Sequence, residues 1–175
     1  MTVSRNQVFA ATAFVLASVL AIAGCASDRP APPRPGGPGA TDVEQRLRAE
    51  IANWRGTPHL LGGATKQGAD CSGFVQAVYK NALGVRLPRT TATQARHGVF
   101  INVSDLAPGD LVFFRPDDKG RHVGIYFSDG EFAHVSKSRG VMISRLDDPY
   151  WRKCYWQARR VLQHRQAVAP PRAGP

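Results

Sequence analysis

An α+β domain with an antiparallel sheet is the fold class this sequence predicts, and three observations predict it. Apolar residues recur at helical spacing before about residue 84. Short runs rich in valine, isoleucine and aromatics, separated by Pro, Gly and Asp, fill the chain from residue 111 onward. Helices come first and strands later, so the two kinds of element segregate rather than alternate. The first helix is expected from about 42 to 54, because Thr41-Asp42-Val43-Glu44 has the spacing of a capping box and Val43, Leu47, Ile51 and Trp54 form an apolar stripe. Gly56-Thr57-Pro58 ends it, and Gly62-Gly63 marks a second break. A second helix starts after Asp70, which can cap it, and carries Phe74, Val75, Val78, Tyr79 and Leu83 before Gly84 stops it. Cys71 falls in its first turn. After a polar connection from Arg89 to Gly98, strands are expected at 111–114, 122–127, 132–136, 141–144 and 158–162. The result is helices packed on a sheet of about five or six strands.

The hairpin at Ser128-Asp129-Gly130 decides how two histidines relate. If Phe127 pairs with Glu131, Gly124 lies opposite His134 and His122 is its diagonal neighbour. Both histidines then project from one face, within about 7 to 8 Å at Cα. A two-residue loop pairing Ser128 with Glu131 would place them on opposite faces.

The chain ends carry different information. Arg5 precedes an apolar run from Val8 to Ala23 that leads into Ile22-Ala23-Gly24-Cys25. The run is shorter than the roughly 20 residues of a spanning helix, so a cleaved export signal over residues 1–24 is expected. Those four residues resemble the lipobox of bacterial lipoproteins. That resemblance implies that Cys25 becomes the acylated first residue, a palmitate-type lipid anchor, and that Ala26 after it favours the periplasmic face of the outer membrane. From 25 to 41 the chain holds Pro30, Pro32, Pro33, Pro35 and Pro38 with Gly36, Gly37 and Gly39, and is expected to be an extended tether. Its reach is on the order of 45 Å at about 3.1 Å per residue. The tail at 163–175, with Pro170, Pro171 and Pro175, is expected to be disordered, which leaves one domain at 42–162.

Charge and cysteine usage narrow the partners. The net charge of +10 includes Arg5 in the signal and Arg29, Arg34, Arg165 and Arg172 in the flanks, so the domain itself is modestly basic. That suits an acidic substrate or polyanionic surface, or serves solubility alone. Nucleic acid is a poor candidate, because no basic motif interleaved with aromatics is present. With Cys25 assigned to lipid, Cys71 and Cys154 remain; a disulfide between them would remove a free thiol from the domain, while a semi-buried free Cys154 would leave Cys71 available.

Cys71, His122 and His134 have the chemistry of a thiol nucleophile system. A free thiol titrates near 8.5 and is mostly protonated at neutral pH. The first turn of a helix offers unpaired N–H groups and partial positive charge, and a neighbouring imidazole can take the proton. His122 is the candidate base, and His134 would fix its tautomer from the far ring nitrogen. The backbone amide of Cys71 is a candidate oxyanion donor. One cysteine and two histidines could also form an open zinc site, but no tight local pair of ligands supports one, and no metal or other cofactor is expected.

Four blocks carry a family resemblance: Asp70-Cys71-Ser72-Gly73-Phe74, Leu87-Pro88-Arg89-Thr90-Thr91, Pro108-Gly109-Asp110-Leu111-Val112-Phe113-Phe114 and Arg121-His122-Val123-Gly124-Ile125-Tyr126. In this order they resemble the NlpC/P60 family of cell-wall peptidases. The resemblance implies a papain-like α+β fold, with Cys71 as nucleophile, His122 as base and His134 as third polar residue, acting on the peptide part of peptidoglycan. Gly56-Thr57-Pro58, Gly140-Val141-Met142-Ile143-Ser144 and Pro149-Tyr150-Trp151 are similar to outer-membrane murein endopeptidase lipoproteins. This similarity implies cleavage of the D-alanine to diaminopimelate cross-link. Other relatives cut between D-glutamate and diaminopimelate, and a catalytically silent wall-binding lipoprotein is the reading of another class. A regulatory lipoprotein or protease is a partner the sequence leaves open. Where the family usually has tyrosine after Gly-Thr-Pro this chain has His59, which becomes a site candidate beside Asp70 and Ser72. Arg89 is either a ligand for a stem-peptide carboxylate or half of a structural salt bridge. Phe113 and Phe114 are expected to serve the core and the opposite face of the sheet.

Overall fold

The computed structural model describes residues 38–116 and 120–162. The expected export signal, Cys25, the expected tether up to residue 37 and the tail at 163–175 lie outside the described residues. Helix α1 (Pro38–Ala52) begins four residues before the expected start. Proline fits the first position of a helix, where its missing N–H leaves nothing unpaired. Glu44 therefore makes no capping box; its carboxylate accepts from Ser128 Oγ at 2.7 Å and from Arg48 Nε at 2.8 Å, joining α1 to the hairpin turn. The stripe of Val43, Leu47, Ile51 and Trp54 is buried as its spacing predicts, and Trp54 packs edge-on against Phe74 with centroids 5.5 Å apart.

A small hairpin, β1 (Ala64–Thr65) and β2 (Gly68–Ala69), precedes α2 (Cys71–Leu83). Asp70 caps α2 by accepting from the Gly73 N–H at 2.7 Å. Gly84 ends it in the left-handed region at φ 70°, its N–H bonded to the Lys80 carbonyl and that of Val85 to Tyr79. Both boundaries agree with the sequence reading. A short α3 (Thr91–Gln94) follows, capped by Thr90.

The main sheet comprises β3 (Val99–Ile101), β4 (Leu111–Phe114), β5 (His122–Tyr126), β6 (Glu131–Ser136), β7 (Gly140–Arg145) and β8 (Tyr155–Arg160), with α4 (Pro149–Cys154) between the last two. The strand order is β3-β8-β4-β5-β6-β7, and every pair is antiparallel. The last strand starts three residues earlier than expected and ends two residues earlier, at Arg160. Arg160, inside the expected strand, is held there by its guanidinium, which grips buried Asp110 at 2.8 and 2.7 Å.

Alternation divides the strands between two cores. Leu111, Phe113, Val123, Ile125, Ala133 and Val135 face α1 and α2, while Val112, Phe114, Phe132 and Ala158 pack with Cys154 and Trp151 on the far side. Phe113 and Phe114 thus divide between the faces as expected. The three-residue turn holds Asp129 at φ 60° and Gly130 at φ 77°, and the Phe127 N–H bonds to the Glu131 carbonyl at 2.8 Å. Ile125 pairs with Ala133 and Tyr126 with Phe132, which is the register that puts both histidines on one face.

Candidate active site

The N-terminus of α2, the start of β5 and the end of β6 meet at a cleft of about 1010 Å³ whose lining includes His59, Cys71, Arg89, Thr91, His122 and Lys137. Cys71 stands at the first position of α2, so its own N–H has no partner within the helix. Its Sγ lies 3.5 Å from Thr91 Oγ1, and the Val123 N–H at the start of β5 also reaches the sulfur. Burial nevertheless pushes the thiol above its ordinary value, aided by the charge of Asp70, against these hydrogen bonds. Cys71 and Cys154 are both free thiols, and Cys154 donates to the Tyr150 carbonyl at 3.1 Å.

His122 Nε2 lies 3.0 Å from His134 Nδ1, and His134 Nε2 lies 2.9 Å from Ser144 Oγ. His122 therefore keeps Nδ1 for another partner. Trp151, delivered by α4, stacks on His122 with centroids 5.5 Å apart and stands edge-on to His134 at 4.8 Å. Phe132 stacks on His134 at 5.1 Å and itself stands edge-on to Trp151 at 5.1 Å. This aromatic enclosure makes a second proton unfavourable. Burial first, then the charges of His59 and Lys137, lowers His122 to about 4. Burial first, then His122 and Arg139, lowers His134 to about 3. The pair rests neutral above those values, as a general base must.

Asp70, Ser72 and Arg89 form a closed scaffold beside the thiol. Arg89 donates to Asp70 Oδ1 at 3.0 Å and Oδ2 at 2.9 Å, to Ser72 Oγ at 3.1 Å and to the Gly63 carbonyl at 3.2 Å. Ser72 Oγ donates to Asp70 Oδ1 at 2.9 Å, and the Gly62 N–H donates to Oδ2 at 3.0 Å. Although burial opposes ionisation, these donors hold the Asp70 carboxyl down at about 2. Of the two readings of Arg89, the salt bridge is the one its contacts display, though its side chain still borders the cleft. Ser72 directs its only proton to Asp70 and the Gly73 N–H is taken by the same carboxylate, so the Cys71 N–H at the start of α2 is the donor left for an oxyanion.

His59 sits in the cleft wall, its backbone bridged to Ala69 next to the Asp70 cap. Arg115 and Arg121 border the same cleft, both with guanidinium groups over the Trp156 ring, at 3.9 and 5.9 Å. Asp70 is the single carboxylate among the described lining residues, and Arg89 neutralises it, so the cleft is cationic. Thr91, Trp151 and Ser144 carry no sign of a role in the sequence: all three lie within the motifs at 87–91, 149–151 and 140–144, but nothing in spacing alone shows that Thr91 touches Cys71 or that Trp151 and Ser144 touch His134.

A profile of the NlpC/P60 family matches residues 56–160, which hold Cys71, His122 and His134 together with the sheet that positions them. This chain belongs to the NlpC/P60 family. Over 121 residues it is 49% identical to murein DD-endopeptidase MepS/murein LD-carboxypeptidase of Escherichia coli K12, a match covering 69% of this chain and 64% of that relative. It is 42% identical over 149 residues to probable endopeptidase NlpC of the same organism, covering 84% of this chain and 97% of the relative. The chain thus spans somewhat under two thirds of MepS but nearly all of the NlpC relative. Among solved structures, an NlpC/P60 family protein from Bacillus cereus superposes with a TM-score of 0.63 at 35% identity, covering 69% of this chain and 40% of that one. A lipoprotein-like member from Staphylococcus aureus gives 0.63 at 32% identity, covering 70% and 42%. The papain-like NlpC/P60 fold expected from the sequence is the fold observed.

Proposed function

We propose that this protein is a cysteine peptidase that hydrolyses amide bonds in the peptide part of peptidoglycan. The observation that carries the reading is the ordered site itself: a thiol on the first residue of a helix, in one cleft with an imidazole whose far nitrogen is held by a second imidazole at 3.0 Å. His122 Nδ1 takes the Cys71 proton as Sγ attacks the carbonyl carbon, and the oxyanion is held by the Cys71 N–H. The C–N bond then breaks, the imidazolium proton passes to the departing amine, and a thioester remains on Cys71. Water attacks the thioester with His122 again as base, the C–S bond breaks, and the acid product leaves with the thiol restored. The cationic cleft suits stem peptides, whose free carboxylates would meet Arg115, Arg121 and Lys137.

The bond proposed is the D-alanine to diaminopimelate cross-link, in keeping with the DD-endopeptidase activity named for the MepS relative. Acylation at Cys25 and a tether over residues 26–37, reaching about 37 Å at about 3.1 Å per residue, would hold the domain at the periplasmic face of the outer membrane, within reach of the wall. Digestion of purified cross-linked muropeptides, read by mass spectrometry, tests the bond. Conversion of dimers to monomers with intact stems supports the cross-link, whereas release of disaccharide dipeptides assigns the D-glutamate to diaminopimelate bond. Binding without any product between about pH 5 and 9 would make the protein a wall-binding lipoprotein instead.

A further inference from the structure

The hydrogen-bonded series from the cleft does not stop at the second histidine. His122 Nε2 meets His134 Nδ1 at 3.0 Å, and His134 Nε2 meets Ser144 Oγ at 2.9 Å. Ser144 reaches this position because β6 and β7 pair His134 with Met142 and Phe132 with Ser144, so Ser144 is the diagonal neighbour of His134 on the same face of the sheet. We propose that Ser144 is a positioning residue that selects the tautomer of His134, and through it the tautomer of His122. This rests on Cys71 and His122 being nucleophile and base.

A neutral imidazole has one N–H and one lone pair, and each ring contact fixes which nitrogen holds which. His122 can accept the thiol proton at Nδ1 only if its own proton is on Nε2. That Nε2–H must then donate to His134 Nδ1, so the proton of His134 is on Nε2. A serine oxygen at 2.9 Å accepts it, which completes the series without a charge. His134 is only 2% exposed, with Phe132 stacked on it and Trp151 edge-on to it, so little solvent reaches that Nε2–H. Without an acceptor there, the opposite arrangement becomes the better one: His134 carries Nδ1–H and donates to His122 Nε2, and His122 carries Nδ1–H. That tautomer presents a proton, not a lone pair, toward the thiol. The charged groups that bear on the two rings are Arg139 on His134, and His59 and Lys137 on His122; each adds positive charge and leaves the rings neutral.

The test uses the full chain with 15N-labelled histidine, with NMR reporting the protonated nitrogen of His122 and His134 near neutral pH, and muropeptide kinetics in parallel. The wild type is expected to show Nε2–H on both rings. Ser144→Ala is expected to move a large share of both to Nδ1–H and to lower kcat by on the order of tenfold to a hundredfold, with KM nearly unchanged. Ser144→Thr, which keeps the hydroxyl, should restore both readouts. Nδ1–H on His134 in the wild type, or Ser144→Ala with wild-type tautomers and kcat, would overturn the proposal. The tautomer readout needs no turnover, so inactivity of the wild-type protein would count against the peptidase reading while the spectra still decide the role of Ser144.

Discussion

Arg89 holds both carboxylate oxygens of Asp70, at 3.0 and 2.9 Å, one residue before Cys71. The same guanidinium reaches the Gly63 carbonyl, so one side chain joins the helix cap to the loop that forms the cleft edge. Arg89→Ala should leave Asp70 ionised with fewer donors and loosen the start of α2. Loss of stability on the order of 1 to 2 kcal/mol is expected, because solvent screens the partly exposed guanidinium. Arg89→Lys should recover only part, since an ammonium cannot match two oxygens as a planar fork does. Urea denaturation of the three proteins measures this.

Gly73 allows α2 to approach that same loop. A Cβ at Gly73 would collide with the Gly63 carbonyl oxygen, which is backbone and cannot swing away. Gly73→Ala should cost about 2 kcal/mol or more and lower activity, because relief of the clash moves the helix that carries Cys71. Thermal melts paired with muropeptide turnover check both effects.

The buried histidines make stability depend on pH in a stated direction. His122 and His134 lie at about 4 and about 3, below the ordinary 6.5, chiefly because they are desolvated. The unfolded chain takes up these protons near 6.5 and the folded chain does not until the lower values. The stabilisation is therefore present above 6.5 and lost as the pH falls toward 4 and 3. Tm should drop on the order of 5 °C or more across that window, and His134→Phe should flatten the dependence. The acid limb of kcat/KM should lie near the His122 value of about 4, not near 6.5.

The two free thiols should differ in chemistry. Cys71 opens onto the cleft, whereas Cys154 is buried beneath Trp151 and donates to the Tyr150 carbonyl at 3.1 Å. Brief treatment of the native protein with iodoacetamide, followed by peptide mass spectrometry, should find carbamidomethyl on Cys71 and little on Cys154. Activity should fall in step with the Cys71 adduct.

Much of this site is legible in the chain alone because its determinants are local. Asp70 and Gly84 mark both ends of α2, the helix that begins with Cys71, through cap chemistry, and Ser128-Asp129-Gly130 sets a hairpin register that carries His122 and His134 to one face. Elements held by distant partners were not legible. The strand at Val99–Ile101 is an exposed edge with Val99 62% exposed, and β1 and β2 have two residues each, too few for alternation to register. The last strand stops at Arg160, whose guanidinium is held by Asp110 fifty positions earlier, instead of running on to Leu162. Ser144 and Thr91 have ordinary strand and turn sequences, and only tertiary contact shows them touching His134 and Cys71. His59 was recognised as a departure from the family pattern, and it does lie in the cleft wall.

The most direct test of the account is digestion of cross-linked muropeptides by the wild-type protein and by Cys71→Ala, with the two folds compared by circular dichroism and the products identified by mass spectrometry. The account predicts cleavage of the D-alanine to diaminopimelate cross-link by the wild type and none by Cys71→Ala at equal folded content. Cleavage that survives unchanged in Cys71→Ala would contradict it.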